Sequence, residues 1–464
     1  MNWLPLDRSS PSSLSRQIYL QLRKAILAGH LQAGERIPST RELSGRLNIS
    51  RNVVADAFDQ LQAEGYIVGK HGSGTYVEER LYLSGQKILS PQLFQSSAIE
   101  EEKNLSCVDF GVGVPCLEAF PKRKWGTILK EVCTTAHENY WRLGPSEGIP
   151  ELRRALVEYL RQYRNVVCEP EQVIITAGAV QALSIAARAL LTSSASVLME
   201  DPGNKVVTRI FSLAGGTVIP CAVDRYGLLT DRLPRNTNPA LIFVTPSHQF
   251  PIGGHLPVQR RVELVQYSRH TGSFIIEDDY DSEFRYEGYP ISSLQGLAPD
   301  NVIYIGSFSK SLFPSQRLGY LIVPASLVCK CREIKHLSDR QCPALEQLAT
   351  ARFILEGHFV RHIARMRKMY KAKRDHLLRE LQSRFNQIEI FGASTGMHVV
   401  ARFSDRVFDQ ALLNVCRKEG VIVYPVEERA LLKGNYSDHI ILGYGHLDSA
   451  LISKGVERLA TALR

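Results

Sequence analysis

The 464-residue sequence predicts two domains of different fold class: an N-terminal winged helix-turn-helix and a large α/β domain with a mostly parallel sheet. In the first part of the chain, apolar residues recur at helical spacing and then give way to two short β-prone segments around a glycine-rich turn. Beyond residue 109, strand-like apolar segments alternate with amphipathic segments. This alternation is typical of a parallel sheet that helices cover on both faces.

Composition is consistent with this division. The chain is longer than one hydrophobic core usually supports, and its 44% hydrophobic and 22% charged residues are ordinary for folded proteins. Since no apolar segment has the length of a membrane span or a signal peptide, we expect no membrane association and a cytoplasmic location. The nine cysteines show no paired CxxC spacing, which predicts neither a disulfide framework nor a metal site.

The basic charge is concentrated near the N-terminus. The formal net charge is +9. Residues 10–51 contain seven Lys and Arg residues but only two Asp and Glu residues. Many basic proteins merely carry a solvated positive face, but a local cluster of this kind favours a polyanionic partner.

Three helices are predicted in the N-terminal domain. The first ends near Gly29, and its apolar positions follow a helical rhythm: Leu14, Ile18, Leu22, Ile26 and Leu27. The second starts after Ser39, an N-cap with Glu42 as its capping-box partner, and covers about residues 40–47. The third begins after Ser50, a further N-cap. The tight turn between the last two helices makes a helix-turn-helix.

A hairpin wing follows in YIVGKHGSGTYV. Its predicted DNA-contacting tip comprises Lys70, His71, Gly72 and Ser73. The third helix presents Arg51 and Asn52 at its N-terminus and can enter a major groove, while Arg41 on the preceding helix can hold phosphates. The alternative is a winged helix that only contacts other proteins.

The segment GERIPSTRELSGRLNISRNVVADAFDQLQAEGYIVGKHGSGTYV resembles the winged helix-turn-helix of the GntR superfamily of bacterial transcription regulators. The predicted domain covers residues 13–77. The resemblance implies double-stranded operator DNA as a partner, with base or phosphate contacts from Arg41, Arg51, Asn52 and the wing tip.

Residues 78–108 show no sustained period and predict a linker that adheres in part to the surface it crosses. The large domain is predicted over 109–464, with a small C-terminal subdomain. Seven segments predict its strands: QVIITAG, SVLMED, GTVIPCAV, ALIFVTP, SFIIEDD, VIYIGSF and RLGYLIVP. Ligands of such sheets bind at the carboxyl ends of the strands.

Polar side chains follow two of these strands. The segment VIIT runs into Gly178 and then a helix, where the N–H groups of Ala179 and Val180 could hold a phosphate. In FIIEDDYDSEF, Asp278 and Tyr280 lie two residues apart and so on one side of an extended segment. Taken singly, each feature is also typical of an ordinary turn.

The segment IGSFSK completes the pattern with Ser307, Ser309 and Lys310, and Arg317 follows seven residues later. A phosphate needs hydroxyls, a guanidinium and a helix N-terminus, and a protonated pyridine needs a carboxylate such as that of Asp278. A ring hydroxyl needs a donor such as Tyr280, and an aldehyde needs an amine. These requirements together predict pyridoxal 5′-phosphate, with Lys310 as its Schiff-base lysine.

Four longer segments resemble the fold-type I aminotransferase-like domain of MocR/GabR-type regulators, in which a GntR-type winged helix is fused to that domain: GPSEGIPELRRALVEYL, TPSHQFPIGG, IIEDDYDSEFRYEGYP and VIYIGSFSKSLFPSQRLGYLIVP. The resemblance implies a transcription regulator that senses pyridoxal phosphate itself or an amino compound. It also implies a homodimer on paired half-sites, possible exchange of the winged helices between partners, and at most residual transaminase activity.

The sequence departs from that pattern at two places. Asn204 follows EDPG, where relatives commonly carry an aromatic residue that stacks on the pyridine ring, and His248 is a candidate to support the ring instead. Ile440 stands near the position of an arginine that binds the substrate carboxylate in many relatives. Arg429 or Arg209 could replace that arginine.

Two alternatives stay open at the level of the sequence. A working aminotransferase with an accessory winged helix would also retain Lys310, Asp278 and Tyr280; the intact DNA-reading unit and the altered carboxylate site favour the regulator. Residues 361–374 contain seven Lys and Arg residues and no acid. This cluster predicts either a solvated helix face or an auxiliary contact with DNA.

Overall fold

The computed structural model describes residues 4–70, 72–79, 107–289 and 291–464. They belong to two compact units, Met1–Lys103 and Asn104–Arg464. No helix within the described ranges is long and apolar enough to cross a membrane.

The N-terminal unit has the predicted winged helix-turn-helix. Its helices are α1 (Leu14–Leu27), α2 (Thr40–Leu47) and α3 (Arg51–Ala63). Its strands are β1 (Arg36–Ile37), β2 (Ile67–Lys70) and β3 (Gly74–Val77). The strands form an antiparallel sheet in the order β1-β3-β2, so the hairpin β2–β3 is the wing and β1 extends it at one edge.

Local sequence explains these helix ends. Ser39 caps α2 as predicted, because its hydroxyl accepts a hydrogen bond from the N–H of Glu42 at 3.2 Å. The capping box is not reciprocal: the carboxylate of Glu42 pairs with Arg46 one turn later instead. Asn48 adopts φ 51°, which ends α2 and turns the chain into α3. Ser50 precedes α3 without a capping bond from its side chain among the described residues.

The core of this unit joins all three helices to the sheet. Ile18 of α1, Val54 and Leu61 of α3 and Ile67 of β2 are fully or almost fully buried in one cluster. Leu4 belongs to the same cluster, so the packed unit begins before residue 13, the start predicted from the sequence.

The Asn104–Arg464 unit contains fourteen strands in its described part. They are β4 (Val108–Asp109), β5 (Val173–Thr176), β6 (Ser196–Asp201), β7 (Thr217–Asp224), β8 (Gly227–Leu228), β9 (Leu241–Val244), β10 (Phe274–Asp279), β11 (Val302–Ser307), β12 (Gly319–Ile322), β13 (Ile388–Phe391), β14 (His398–Phe403), β15 (Val421–Ile422), β16 (Tyr424–Pro425) and β17 (His439–Gly443).

Ten α-helices accompany them in the same ranges. They are α4 (Lys122–Thr135), α5 (Pro150–Arg164), α6 (Ala179–Leu190), α7 (Lys205–Leu213), α8 (Val258–Thr271), α9 (Val328–Asp339), α10 (Ala344–Leu355), α11 (His358–Arg384), α12 (Gln410–Lys418) and α13 (Ser449–Ala462).

The main sheet has eight strands in the order β5-β12-β11-β10-β9-β6-β7-β8. All seven strands predicted for it from the sequence are present. The pairs from β11 to β7 are parallel, whereas β12 runs antiparallel to both of its neighbours. Every residue of β5, β9 and β12 is buried, as expected for strands with helices on both faces. The α/β class with a mostly parallel sheet is therefore confirmed.

A smaller sheet near the C-terminus has the order β13-β14-β17-β16, with antiparallel neighbours throughout. Strand β4 pairs in parallel with β15, so Val108 lies in the folded unit and not in a linker. At the other end of the predicted linker, the N–H of Glu78 bonds to the carbonyl of Tyr66, the residue before β2. Residues 80–106, most of the segment predicted as a linker, lie outside the described residues.

Candidate DNA-binding face and cofactor site

The first turns of α2 and α3 bring the predicted DNA-contacting residues together. Arg41, Arg51 and Asn52 are all exposed there. The Nε of Arg51 lies 3.4 Å from the hydroxyl of Thr40, so the two helix N-termini are adjacent. Because helix N-termini carry free N–H groups and partial positive charge, this arrangement suits phosphate and base contacts.

The wing tip is equally accessible. Lys70, Gly72 and Ser73 are exposed, and the Ser73 hydroxyl lies 2.7 Å from that of Tyr76. His71 lies outside the described residues. The Lys70 ammonium lies 5.1 Å from the centre of the Tyr76 ring, and this contact holds the cation at the wing.

One basic residue at this face was missed from the sequence. Arg8 is exposed and donates to the carbonyl of Asn48 at 3.1 Å, which places it at the turn between α2 and α3. It lies before the segment that resembles known winged helices, so no motif pointed to it. Asp56 and Asp59, by contrast, are exposed further along α3 and would repel phosphates. The basic character of α3 is therefore restricted to its first turn.

In the larger unit, a cavity of about 340 Å³ opens at the carboxyl ends of β10 and β11. Eight of the nine residues predicted to bind the cofactor line this cavity: Ala179, Val180, Asp278, Tyr280, Ser307, Ser309, Lys310 and Arg317. They are brought together because parallel strands end at the same edge of the sheet.

One end of the cavity has the features of a phosphate cradle. Gly178 precedes α6 with φ 98°, and a Cβ at this position would approach the Arg317 guanidinium to 3.1 Å. That guanidinium donates to the carbonyl of Ala177 at 2.7 Å, which holds it beside the start of α6. The N–H groups of Ala179 and Val180 precede the first hydrogen bond of α6, which Gln181 donates to the carbonyl of Gly178, and they suit an anion. Ser307 and Ser309 contribute hydroxyls to the same lining.

Lys310 lies at the end of the turn that follows β11. Its Nζ donates to the carbonyl of Gly113, whose φ of 72° suits glycine. A Cβ at Gly113 would lie only 2.8 Å from Nζ, so the glycine allows this close approach. Burial lowers the pKa of Lys310, and the neighbouring carboxylates of Asp281 and Asp278 only partly oppose this effect. A larger fraction of the amine is therefore neutral and nucleophilic.

The pKa of Asp278 is raised, whereas that of Lys310 is lowered. Burial, together with the charges of Asp279, Asp281 and Glu200, raises its pKa to about 7, while Lys310 acts in the other direction. A carboxyl group in such surroundings gains most from a cationic partner. A protonated ring nitrogen is a partner of this kind.

Tyr280 is held by a second layer of side chains. Its hydroxyl lies 2.9 Å from Nδ1 of His248, and that nitrogen also lies 2.9 and 3.0 Å from the two carboxylate oxygens of Asp281. His248 and Asp281 are buried. His248 is not among the residues that line the cavity, so the structure places it behind Tyr280; its predicted support of the cofactor ring stays a prediction.

Three further lining residues carried no clear signal in the sequence. Glu200 accepts hydrogen bonds from the N–H and the hydroxyl of Thr245 at 3.0 and 2.6 Å, and burial raises its pKa to about 7. Phe250 supplies an aromatic ring, and His398 lies beside it with ring centres 5.7 Å apart. The motif SHQFP contains Phe250, but only the fold shows that it faces the cavity.

The two departures from the family pattern can now be placed. Asn204 lines the cavity and caps α7, accepting from the N–H of Val206 at 3.0 Å. Arg429 also lines the cavity, whereas Arg209 is exposed on α7 and is not part of the lining. Ile440 is fully buried in β17. Of the two arginines considered from the sequence, the structure thus brings only Arg429 to the site.

The residues present fit pyridoxal phosphate. The cavity has the size of small-molecule sites, and it combines an anion cradle at Gly178 and Arg317 with an amine and an acid. The glycine at position 113 leaves the amine room at the cavity wall. This donor set matches the phosphate, the aldehyde and the ring nitrogen of that cofactor one by one.

Comparison with known families agrees with both units. Residues 106–440 match the family aminotransferase class I and II, and residues 14–77 match the bacterial regulatory proteins of the gntR family. The chain is 35% identical to the probable rhizopine catabolism regulatory protein MocR of Rhizobium meliloti, over 99% of this chain and 95% of that protein. It is 32% identical to the pyridoxine biosynthesis transcriptional regulator PdxR of Corynebacterium glutamicum, over 86% of this chain and 85% of that protein.

A solved structure is similar to the larger unit. The α-aminoadipate aminotransferase LysN of Thermus thermophilus is 27% identical, with a TM-score of 0.72 over 80% of this chain and 95% of its own. That structure is of a complex with N-(5′-phosphopyridoxyl)-L-leucine.

Proposed function

Since this chain belongs to the MocR-type, GntR-family transcriptional regulators and has an aminotransferase class I and II domain that binds pyridoxal 5′-phosphate, we propose that an amino-acid effector at Lys310 controls its binding to operator DNA. The observation that carries the proposal is the cavity itself. It combines the amine of Lys310, the carboxyl group of Asp278 and the guanidinium groups of Arg317 and Arg429 in one lining.

Each part of the cavity has a proposed role. Arg317, the first turn of α6 and the hydroxyls of Ser307 and Ser309 hold the phosphate. Asp278 binds the ring nitrogen, and Tyr280 donates to the ring hydroxyl. When bound, pyridoxal phosphate supplies an aldehyde that condenses with primary amines, and Lys310 is the amine of the protein that competes with an effector amine.

Arg429 supports the choice of an amino acid as the effector. The two arginines of the lining come from different parts of the chain. Arg317 donates to the carbonyl of Ala177 at the start of α6, whereas Arg429 lies just after β16. A carboxylate on the effector would give Arg429 a bidentate partner. Pyridoxal phosphate as its own effector is the alternative, because the relative PdxR is named for pyridoxine biosynthesis.

The proposal is tested with the purified full chain. The protein is titrated first with pyridoxal phosphate and then with a panel of amino acids, while the absorbance of the lysine-bound cofactor and the affinity for an operator fragment are followed together. We expect a saturating amino acid to change operator affinity by about fivefold or more, a typical coupling between two sites. If operator affinity changes when pyridoxal phosphate is added and not when amino acids follow, the cofactor itself is the effector.

Two variants decide whether Lys310 carries the response. Lys310→Ala should abolish it, whereas Lys205→Ala, an exposed lysine on α7 outside the lining, should retain it. A Lys310→Ala protein that binds the cofactor and responds as the wild type does would contradict the proposal.

We also propose that the protein acts as a homodimer on paired half-sites in the cytoplasm, where its operator DNA is. Trp141 and Leu143 support the dimer, since 60% and 69% of their surfaces are exposed and both lie in the segment before α5. Sedimentation analysis at several concentrations should give twice the mass of the chain, and the substitutions Trp141→Lys and Leu143→Lys should shift it toward the monomer. Exchange of winged helices between partners stays a prediction.

A working aminotransferase is the second candidate function. The lowered pKa of the buried Lys310 favours it, because a neutral amine is needed to exchange one bound amine for another. Conversion of many equivalents of an amino acid to its oxo acid per equivalent of protein would establish this activity. A single equivalent or none is expected of the regulator.

A further inference from the structure

The buried pair of His248 and Asp281 has a use beyond packing. Nδ1 of His248 is approached by the Tyr280 hydroxyl oxygen at 2.9 Å and by both oxygens of Asp281 at 2.9 and 3.0 Å. Three oxygen atoms thus converge on one ring nitrogen. That nitrogen carries either a hydrogen or a lone pair, and the choice decides in which direction Tyr280 can donate.

The carboxylate of Asp281 decides whether Nδ1 of His248 carries a hydrogen or a lone pair. An ionised carboxylate only accepts hydrogen bonds, so an Nδ1 lone pair facing both oxygens of Asp281 would be repulsive. A hydrogen on Nδ1 satisfies the carboxylate and the Tyr280 oxygen at once. The other ring nitrogen, Nε2, is buried and has no hydrogen-bond partner among the described residues. A hydrogen there would be an unsatisfied donor, so the surroundings favour a hydrogen on Nδ1 and none on Nε2.

The backbone around the pair is shaped to hold it. A Cβ at Gly396 would lie 2.2 Å from Cε1 of His248 and 2.4 Å from an oxygen of Asp281. Gly396 has φ 82°, so both its conformation and the space require glycine. The two side chains are therefore confined to this arrangement, and the ring cannot turn without displacing the loop before β14.

We propose that Asp281 and His248 are positioning residues that make Tyr280 a hydrogen-bond donor toward the cavity. Because Nδ1 then carries a hydrogen, it has no lone pair to accept the hydroxyl hydrogen of Tyr280. It is then available to the cavity lined by Tyr280, Asp278 and Lys310, where it would donate to the ring oxygen of a bound cofactor. The inference rests on the proposed cofactor site.

A different use of the same atoms is a metal centre. His248, Asp281 and His398 each offer a ligand atom, and these atoms lie within 4.8 Å of one another. Two observations argue for the hydrogen-bonded arrangement instead. Nδ1 of His248 is already shared by Asp281 and Tyr280, and Nε2 of His398 lies 2.9 Å from the carbonyl of Pro251.

A double-mutant cycle tests whether His248 acts through Tyr280. His248→Phe and Tyr280→Phe should each weaken pyridoxal phosphate binding by about five- to tenfold, the value of one lost hydrogen bond. The double variant should be no weaker than Tyr280→Phe alone. His248→Asn, whose amide nitrogen can take the place of Nδ1, should bind within about twofold of the wild type. Losses that multiply in the double variant would overturn the proposal.

A second measurement needs no cofactor. In ligand-free wild-type protein with ¹⁵N-labelled histidine, the shifts of His248 should show a protonated Nδ1 and an unprotonated Nε2. The reverse pattern would overturn the proposal, as would retention of one equivalent of Zn²⁺ after dialysis by the wild type but not by His248→Phe. If the wild type does not bind pyridoxal phosphate at all, the proposed function fails, while the histidine shifts still decide the arrangement of the pair.

Discussion

Three consecutive acidic residues end β10, and each has a different task. Glu277 is buried and accepts the backbone N–H groups of Leu294 and Gln295 at 3.0 and 2.8 Å. Asp279 is buried in an ion pair with Arg164 at 2.8 Å. Only Asp278 lines the cavity. Strand alternation turns Asp278 away from its neighbours, so one residue of the three is free to meet a ligand.

The raised pKa of Asp278 makes a pH-dependent prediction for the cofactor-free protein. The folded pKa of about 7 exceeds the ordinary value of 3.8, so the folded protein binds more protons between these two pH values. Its free energy of unfolding therefore falls as the pH rises through this window. Asp278→Asn should remove the free-energy cost of ionising this buried carboxyl group. The variant should stabilise the cofactor-free protein at pH 8 by on the order of 2 kcal/mol, with little change near pH 4.

Denaturant unfolding of the cofactor-free wild type and variant at both pH values measures this. The same variant should bind pyridoxal phosphate less tightly, because an amide cannot pair with a ring cation. Equal stabilisation at pH 4 and pH 8 would show that Asp278 is not the group responsible.

Arg317 should account for recognition of the phosphate. Arg317→Gln is expected to weaken binding of pyridoxal phosphate by about ten- to a hundredfold, as for the loss of a charge-assisted hydrogen bond. Binding of pyridoxal, which lacks the phosphate, should change little. Arg209→Gln serves as the control, since that arginine is exposed outside the cavity lining. Titration of the visible absorbance with both aldehydes gives the affinities, and equal losses for the two would exclude a phosphate contact.

At the scale of elements, α11 changes the interpretation of the basic cluster at residues 361–374. Five of the seven Lys and Arg residues in this cluster have partners within the larger unit: Arg361, Arg367, Lys371, Lys373 and Arg374. Arg374 is buried beside Glu287 at 2.7 Å. An auxiliary contact with DNA is left to exposed residues such as Arg365 and Lys368. An unchanged salt dependence of DNA binding after neutralising both would eliminate it.

The wing and the helix-turn-helix contain a matched pair of glycines. Gly74 begins β3 with φ 120°, and a Cβ there would lie 3.0 Å from Nε of Arg36; Gly45 is helical in α2, and a Cβ there would meet nothing within 4 Å. Gly74→Ala should therefore destabilise the N-terminal unit by about 1–2 kcal/mol, whereas Gly45→Ala should stabilise it by about 0.5–1 kcal/mol. Calorimetry of the full chain, following the transition of this unit, measures both. Equal effects would refute the conformational reason.

At the scale of the whole molecule, the proposed switch obeys thermodynamic linkage. If a saturating effector changes operator affinity by some factor, saturating operator DNA must change effector affinity by the same factor. We therefore expect the two factors to agree within error when both are measured by titration in one buffer. Unequal factors would mean that effector and DNA do not act on one equilibrium, for instance because subunits dissociate during the measurement.

Local patterns in the sequence were sufficient for most of the architecture. The helix bounds of residues 40–47 and all seven main-sheet strands are confirmed by the structure, because caps, turns and apolar periods are properties of neighbouring residues. The antiparallel direction of β12 was not predictable, since strand direction depends on the path of the connection. The capping box at Ser39 was wrong in its second half, because Glu42 has a competing partner in Arg46.

The chemistry of the proposed site could be predicted from the sequence alone: an amine, a carboxyl group, a phenol and residues suited to a phosphate follow strand-like segments, and a winged helix-turn-helix precedes them. Tertiary structure decided which residues share a cavity. It brought Arg429 and Phe250 to the lining, left Arg209 outside and set His248 behind Tyr280. The physical reason is that a motif records neighbours along the chain, whereas a site consists of neighbours in space, and only the packed sheet relates the two.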